Sequence, residues 1–202
     1  MLLSLGAASA FSQPFSFGVK AGVPLTDFLA AARSQSFSFS ANAHRYIAGA
    51  TVELRLPLGL AIEADVLYRR LNYEGSGSSL SSQTTGNAWE FPLLAKYRLP
   101  GKLVRPYVDA GLAWDTLSGV SQTIRTVLPT AATTAASSNP AELKKSTTSG
   151  FVMGVGVDIK VLLIHLSPEI RYTRWGSQHF IDPSGLLHSN QSQAEFLVGI
   201  TF

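Results

Sequence analysis

Three side chains that could support hydrolysis lie at alternate positions of one segment: His165, Ser167 and Glu169. A serine nucleophile needs its histidine within hydrogen-bonding distance of the hydroxyl group. Residues two positions apart in an extended strand are about 7 Å from each other, which is too far for that bond. The spacing therefore argues against catalysis, and we predict that the chain has no catalytic residues and is not an enzyme.

Metal-binding and thiol chemistry lack the residues that they need. The chain has no cysteine, which excludes thiolate zinc sites, disulfides and thiol catalysis. Its four histidines do not have the spacing of a metal-binding motif; His179, Asp182 and His188 share one connection and are interpreted as solvated loop residues. We therefore expect no metal site and no cofactor.

The composition is unusual for a soluble domain. The 202 residues are 46% hydrophobic but only 14% charged, whereas soluble domains carry about 25% charged residues. No apolar stretch is long enough for a membrane-spanning helix, which needs about 20 residues. The net charge of +3 is modest and is not gathered on one face, so we expect no nucleic-acid partner. The length suits one domain.

The first ten residues are typical of an export signal. Residues 1–10 (MLLSLGAASA) form a short apolar run that ends in small residues suited to signal peptidase. We interpret residues 1–10 as a signal-peptide remnant and residues 11–202 as a single exported domain.

Beyond the signal, apolar residues recur at every second position, which is the period of a strand with two different faces. Eight such runs, each of nine to twelve residues, have the length that a tilted strand needs to cross a bilayer. The predicted strands are 15–23, 46–56, 60–69, 88–98, 104–115, 151–160, 164–173 and 194–202.

The charged residues fall on the polar phase of these runs. Acidic and basic side chains are almost equally frequent there, so we predict an ion-pair network on one face of the sheet, with Glu53 opposite Glu63, Arg55 diagonal to Glu63, and Arg69 level with Glu90. The predicted members are Glu53, Arg55, Glu63, Asp65, Arg69, Glu90, Lys96, Arg105, Asp109, Asp158, Lys160, Glu169, Arg171 and Glu195.

The connections alternate in length, which separates a membrane barrel from a soluble sandwich. Short turns at 57–59, 99–103 and 161–163 alternate with long connections, and outer-membrane barrels have this asymmetry. Within the third long connection, Thr130–Asn139 is a run of small uncharged residues that we expect to remain mobile. Long connections are predicted at 25–45, 74–87, 117–148 and 176–190.

Five segments carry a family resemblance: Gly18–Pro24, Trp89–Tyr97, Arg105–Gly111, Pro168–Tyr172, and the alternating C-terminal residues Phe196, Val198, Ile200 and Phe202. With them the chain resembles the outer-membrane β-barrel domain family, whose eight-stranded members include OmpA-like, OmpX-like and PorT-like proteins. The resemblance implies an all-β, eight-stranded antiparallel up-and-down transmembrane β-barrel in a bacterial outer membrane. It also implies periplasmic termini and short turns, and extracellular long loops.

The resemblance further implies the partners. The C-terminal pattern is similar to the signal read by the barrel-insertion machinery, and the wall should contact outer-membrane lipid and lipopolysaccharide. We expect a monomer. Two prolines, Pro92 and Pro168, lie inside predicted strands, where each removes a hydrogen-bond donor. We therefore expect a bulge or weakened pairing at both.

Four functional hypotheses follow. The first is a structural or surface-interaction barrel whose lumen is plugged by ion pairs, because eight strands leave an interior just wide enough for side chains. The second is a narrow ion or small-solute channel gated by those pairs. The third is a lipid-modifying enzyme, since His165-x-Ser167 resembles the pair of a lipid A deacylase family. The fourth is a soluble exported binder of the lipocalin type.

Overall fold

The computed structural model describes residues 14–26, 29–31, 37–40, 46–77, 80–128, 131–137, 147–177 and 187–202. The predicted signal remnant lies outside these residues, as do His179 and Asp182. The twelve strands are β1 (Phe15–Pro24), β2 (Leu29–Ala31), β3 (Phe37–Ser40), β4 (Ile47–Arg55), β5 (Leu60–Gly77), β6 (Leu80–Arg98), β7 (Val104–Leu128), β8 (Ala131–Ser137), β9 (Thr147–Val161), β10 (Ile164–Trp175), β11 (Leu187–Ser189) and β12 (Ser192–Thr201).

Eight of these strands form a closed ring. The order around the wall is β1, β4, β5, β6, β7, β9, β10 and β12, and β12 pairs back onto β1 with Lys20 opposite Gly199. Every neighbouring pair is antiparallel. Closure leaves no unpaired edge in the wall. The predicted eight-stranded up-and-down β-barrel is therefore confirmed.

The two ends of the barrel differ. One end, the turn end, carries the tight turns at 57–59, 99–103 and 162–163. At the opposite end, the hairpin end, β5, β6 and β7 continue far beyond their predicted limits, and β3 and β8 pair onto β5 and β7. No helix long and apolar enough to cross a membrane occurs among the described residues.

The structure differs from the prediction for the long connections. Much of 74–87 and 117–148, predicted as loop, is strand. Ala131–Ser137, from the run expected to be mobile, forms β8. Its backbone pairs with β7 from Gln122 to Leu128. Mobility was expected because the small side chains of this run can bury little surface. The backbone N–H and C=O groups of the run instead form hydrogen bonds with the neighbouring edge of β7.

Both prolines interrupt the wall on one side only. The β5–β6 ladder is interrupted opposite Pro92, between the pairs Ala64–Leu93 and Leu67–Glu90, and continues in the same register beyond it. The β9–β10 ladder is likewise interrupted at Pro168, between the pairs Leu166–Ile159 and Glu169–Gly156. On their other sides the two prolines stay in register with β7 and β12. Since proline has no N–H to donate, this is the weakened pairing that the sequence predicts.

The wall places apolar side chains outside and charged side chains inside. Leu112 and Val155 face outward with 54% and 56% of their surface exposed, whereas Asp115 and Arg171 face inward with 0% exposed. A protein that is soluble in water buries its apolar face instead. The arrangement contradicts the hypothesis of a soluble lipocalin-like binder and suits a barrel whose outer wall contacts lipid.

Candidate functional site

The candidate site is the lumen, where alternate residues of every wall strand meet. Its charged and polar side chains form three layers along the barrel axis. The turn-end layer contains Glu53, Arg55, Arg98, Arg105, Asp158 and His165; the central layer contains Lys20, Glu63, Asp65, Lys96, Tyr107, Asp109, Glu169 and Arg171; the hairpin-end layer contains Arg69, Glu90, Asp115, Gln193 and Glu195.

The turn-end layer is organised around two carboxylates. Arg98 bridges them: it donates to Glu53 through Nη2, and its Nε lies 2.9 Å from Oδ2 of Asp158. The same Oδ2 is 3.0 Å from Nη2 of Arg105, and Oδ1 is 2.7 Å from Nδ1 of His165. Asp158 is 1% exposed, so a buried carboxylate holds three side chains from three strands together.

His165 is therefore committed to this layer. Its hydrogen-bond partner is Asp158, and no hydrogen bond joins it to Ser167 among the side chains that the structure describes. Both residues are 8% exposed and lie near the turn end. This geometry agrees with the expectation from strand spacing that the Ser167 hydroxyl group lies beyond hydrogen-bonding distance of the His165 imidazole.

Arg171 is the centre of the middle layer and is completely buried. Its Nε donates to Oε1 of Glu169 at 2.6 Å, and its Nη2 lies 3.4 Å from Oε1 of Glu63. Its Nη1 lies 3.0 Å from Oδ2 of Asp65, an ion pair whose angle is too bent for a hydrogen bond. One guanidinium thus contacts carboxylates from two walls of the barrel.

Two lysines complete the central layer. Nζ of Lys20 donates to Glu63, and also to Asp65 at 3.1 Å and to Glu169 at 3.2 Å. Lys96 donates to Glu63 as well, and its Nζ lies 4.3 Å from the centre of the Tyr107 ring. Paired cations of this kind offset the cost of burying carboxylates.

Glycines in β9 make room for this layer. A Cβ at Gly154 would lie 2.5 Å from Oδ1 of Asp109 and 3.0 Å from Oε1 of Glu169, and a Cβ at Gly156 would lie 2.4 Å from Cζ of Tyr107. Only residues without a Cβ let these side chains reach the axis. Asp109 is the exception in the network, since neither of its carboxylate oxygens has a hydrogen-bond partner among the described residues.

In the hairpin-end layer one cation faces three carboxylates. The guanidinium of Arg69 lies 3.0 Å from Asp115, 3.1 Å from Glu195 and 3.9 Å from Glu90. Its Nη1 also donates to Oε1 of Gln193 at 3.1 Å. Two buried apolar clusters occupy the space beside it; they consist of Leu94, Ala113, Val152 and Trp175, and of Ile47, Leu67 and Leu197.

The structure places thirteen of the fourteen predicted network residues in these layers. Glu53 and Glu63 are in register across β4 and β5, as predicted. Arg55 is diagonal to Glu63 in that register, but its side chain donates to Glu53 at 3.0 Å instead. Lys160 differs from prediction: it is exposed, because the penultimate residue of β9 lies at the rim, where its long side chain extends into solvent.

Six members were absent from the predicted set: Lys20, Arg98, Asp115, Tyr107, His165 and Gln193. The first three lie on the polar phase of their strands, so the alternation already contained the signal for them. Tyr107 and His165 also lie on that phase. Their roles follow from contacts with residues 62 and 7 positions away, respectively.

The comparison with protein families decides the identity of this barrel. Residues 11–176 match the family described as "Outer membrane protein beta-barrel domain". The chain belongs to this family. Its members lie in the outer membrane, and the exposed apolar wall described above is what that location requires. No curated protein matches the sequence.

Two solved structures support the fold of this outer-membrane barrel. The outer membrane protein OprG from Pseudomonas aeruginosa has a TM-score of 0.55 and 12% identity, over 93% of this chain and 92% of OprG. Neisserial surface protein A has a TM-score of 0.51 and 15% identity, over 93% of this chain and 96% of that protein. The similarity is one of architecture.

Proposed function

We propose that this outer-membrane barrel has a structural or surface-interaction role and that its lumen is closed by ion pairs. The observation that carries the proposal is the central layer, where Arg171 and Glu169 are 0% and 1% exposed. Side chains from opposite walls contact each other there, as between Arg171 of β10 and Glu63 of β5. An eight-stranded lumen has little width beyond that of its side chains, so such contacts occupy the axis.

The asymmetry of the two ends supports the proposed orientation. Outer-membrane barrels have short periplasmic turns and longer extracellular loops, so the turn end faces the periplasm and the hairpin end faces outward in this proposal. Outer-membrane lipid and lipopolysaccharide are the proposed contacts of the wall. The barrel-insertion machinery is the proposed partner of β12, and the barrel is proposed to be monomeric.

The hairpin end offers the surface for interaction. The strands β3, β5, β6, β7 and β8 form a continuous sheet there, and among the described residues β8 pairs with β7 alone. A strand with one unpaired edge presents backbone N–H and C=O groups to a second extended chain. A surface partner that adds a strand to β8 is consistent with this geometry.

The proposed role is not catalytic. The side chains with hydrolytic potential lie at the turn end, which in the proposed orientation is remote from lipid of the outer leaflet. His165 is bound to Asp158 within the ion-paired layer. His165 is therefore not in position to activate the hydroxyl group of Ser167.

The closed lumen predicts the electrical behaviour of the protein. Full-length barrel refolded into a planar bilayer should give no conductance steps above the background of the bare membrane, because buried ion pairs occupy the axis. A wide-pore porin inserted under the same conditions is the positive control, and heat-dependent migration in gels verifies folding. Reproducible steps from the folded barrel would support the channel hypothesis and reject the plugged lumen.

A further inference from the structure

Among the side chains that the structure describes, the exposed charges have one sign. All nine carboxylate side chains that the structure describes are at most 4% exposed. The exposed charged side chains among the described residues are all cationic: Arg70, Lys102, Lys160 and Arg174. Ion pairing has therefore drawn the described acidic groups into the lumen and left a surface that attracts anions.

Two of these cations lie together at the turn end. Lys102 belongs to the turn between β6 and β7, and the N–H of Lys160 donates to the carbonyl of Leu103 at 2.9 Å. Arg105 is in register with Asp158, two residues before Lys160, and 31% of its side chain is exposed. The turn end thus presents three cationic side chains: Lys102 in the turn before β7, Arg105 on β7 and Lys160 on the neighbouring strand β9.

The tight turns beside these cations carry apolar tips. Leu58, Leu162 and Leu163 are 89%, 88% and 89% exposed, and Leu103 is 69% exposed. A contiguous exposed apolar patch, unlike a single exposed residue, marks a contact surface for lipid or another protein. The leucines therefore need a partner that the described residues do not supply.

The backbone conformation of two of these leucines indicates a role for their side chains. Leu58 and Leu162 have φ of 64° and 55°, the left-handed region where glycine or asparagine is favoured. They are the only residues other than glycine with positive φ in the described part of the chain. A disfavoured backbone conformation combined with almost full exposure points to a function for the side chain.

The apolar tips continue the outer wall without a polar break. Leu60, Tyr97 and Val161 face outward next to the turns and are 46%, 43% and 45% exposed. A soluble acidic protein would dock on a patch separated from the lipid-facing wall, whereas this patch is its direct extension. Continuity with the wall and the surrounding cations together favour lipid as the occupant.

We infer that the turn end is a binding surface for anionic phospholipid, with the leucine tips inserted among the lipids and Lys102, Lys160 and Arg105 contacting headgroup phosphates. This inference makes the lipid contact of the proposed function specific in chemistry and place. It does not depend on whether the lumen conducts, so conductance recordings and lipid binding test separate claims.

Lipid binding to the whole chain tests the cations. We expect native mass spectrometry in detergent to show tighter binding of phosphatidylglycerol than of phosphatidylcholine. Lys102→Gln/Lys160→Gln should weaken phosphatidylglycerol binding by about 25-fold, at about five-fold for each cation. The matched control, Arg70→Gln/Arg174→Gln, removes the same charge at the hairpin end and should bind like the wild type. Equal losses in both variants, or no preference for phosphatidylglycerol, would overturn the inference.

The absence of cysteine allows a direct test of the tips. Leu163→Cys, labelled with an environment-sensitive fluorophore, should show blue-shifted emission and quenching by nitroxide-bearing phospholipids in vesicles that contain phosphatidylglycerol. Ser121→Cys, on the exposed part of β7, should keep the emission of a label in water. Water-like emission from the label at position 163 would reject lipid and favour a soluble acidic protein as the occupant.

Discussion

Arg171→Met is expected to lower the free energy of unfolding of the barrel by about 3–5 kcal/mol, since removing one member of a buried ion pair leaves charge without compensation. The guanidinium is fully buried and contacts carboxylates of Glu169, Asp65 and Glu63. Lys20 and Lys96 remain beside them but already serve the same carboxylates. Urea unfolding in lipid vesicles, followed by tryptophan fluorescence, measures the change.

Arg174→Met is the matched control for this prediction. Arg174 lies three residues further along β10, on the opposite face, and is exposed. Its side chain donates to Ser192 at 2.5 Å, an exposed contact that contributes little to stability. We expect its unfolding free energy to stay within about 0.5 kcal/mol of the wild type. If the two variants unfolded alike, the central layer would not be the stabilising element that its geometry indicates.

Arg69→Met is expected to be almost as damaging, at about 3–5 kcal/mol, for a related reason. Arg69 is the cation shared by Glu90, Asp115 and Glu195 in the hairpin-end layer. Its loss brings three buried carboxylates together without the guanidinium, and like charges in a medium of low polarity repel strongly. The same urea titration measures the effect.

Two further variants show whether charge causes that loss. Arg70→Met removes an arginine from the adjacent, outward position of β5 and should leave stability almost unchanged. Adding Glu195→Gln to Arg69→Met removes one of the three carboxylates and should restore part of the lost stability. A double variant no more stable than Arg69→Met would attribute the effect to packing of the side chain, since arginine also buries its aliphatic stem.

The architecture and the inward face follow directly from the sequence. In a strand, side chains alternate strictly between two faces, so a charged residue such as Glu169 and an apolar one such as Ile170 are assigned to opposite sides by counting alone. Alternating connection lengths then distinguish the two ends of the barrel. The membrane environment follows from the same alternation of connection lengths, which is typical of outer-membrane barrels.

The pairing inside the lumen could not be predicted in the same way. Arg171 contacts Glu63 from 108 residues away, and Arg98 contacts Asp158 from 60 residues away. The first contact crosses the barrel and the second joins the two strands that flank β7. The heights of such side chains depend on strand tilt and stagger, which the alternation does not specify. Neighbouring strands are easier, as the correct register of Glu53 with Glu63 shows.

The observed ends of the strands also differ from the predicted ones. The sequence beyond residue 70 loses its apolar alternation, yet β5 and β6 remain paired as far as Ser76 and Ser81. There the backbone ladder alone maintains the strand, since no lipid-facing side is required outside the membrane. The same change of environment at the opposite rim explains why Lys160 points away from the lumen although its phase is correct.

Six single-cysteine variants test whether an apolar wall in lipid surrounds a closed, ion-paired lumen. They form three adjacent pairs, in which the first residue faces outward and the second is at most 1% exposed. The pairs are Leu93 and Leu94, Leu112 and Ala113, and Met153 and Val152. The measurement is the reaction of each thiol, in vesicles, with a charged water-soluble methanethiosulfonate reagent.

None of the six thiols should react in the folded barrel. Those at positions 93, 112 and 153 lie in lipid, and those at positions 94, 113 and 152 lie in a dry lumen. All six should react in urea, and Ser121→Cys should react in the folded state as the positive control. Reaction at positions 94, 113 and 152 would contradict the closed lumen. Reaction at positions 93, 112 and 153 would show that the wall faces water.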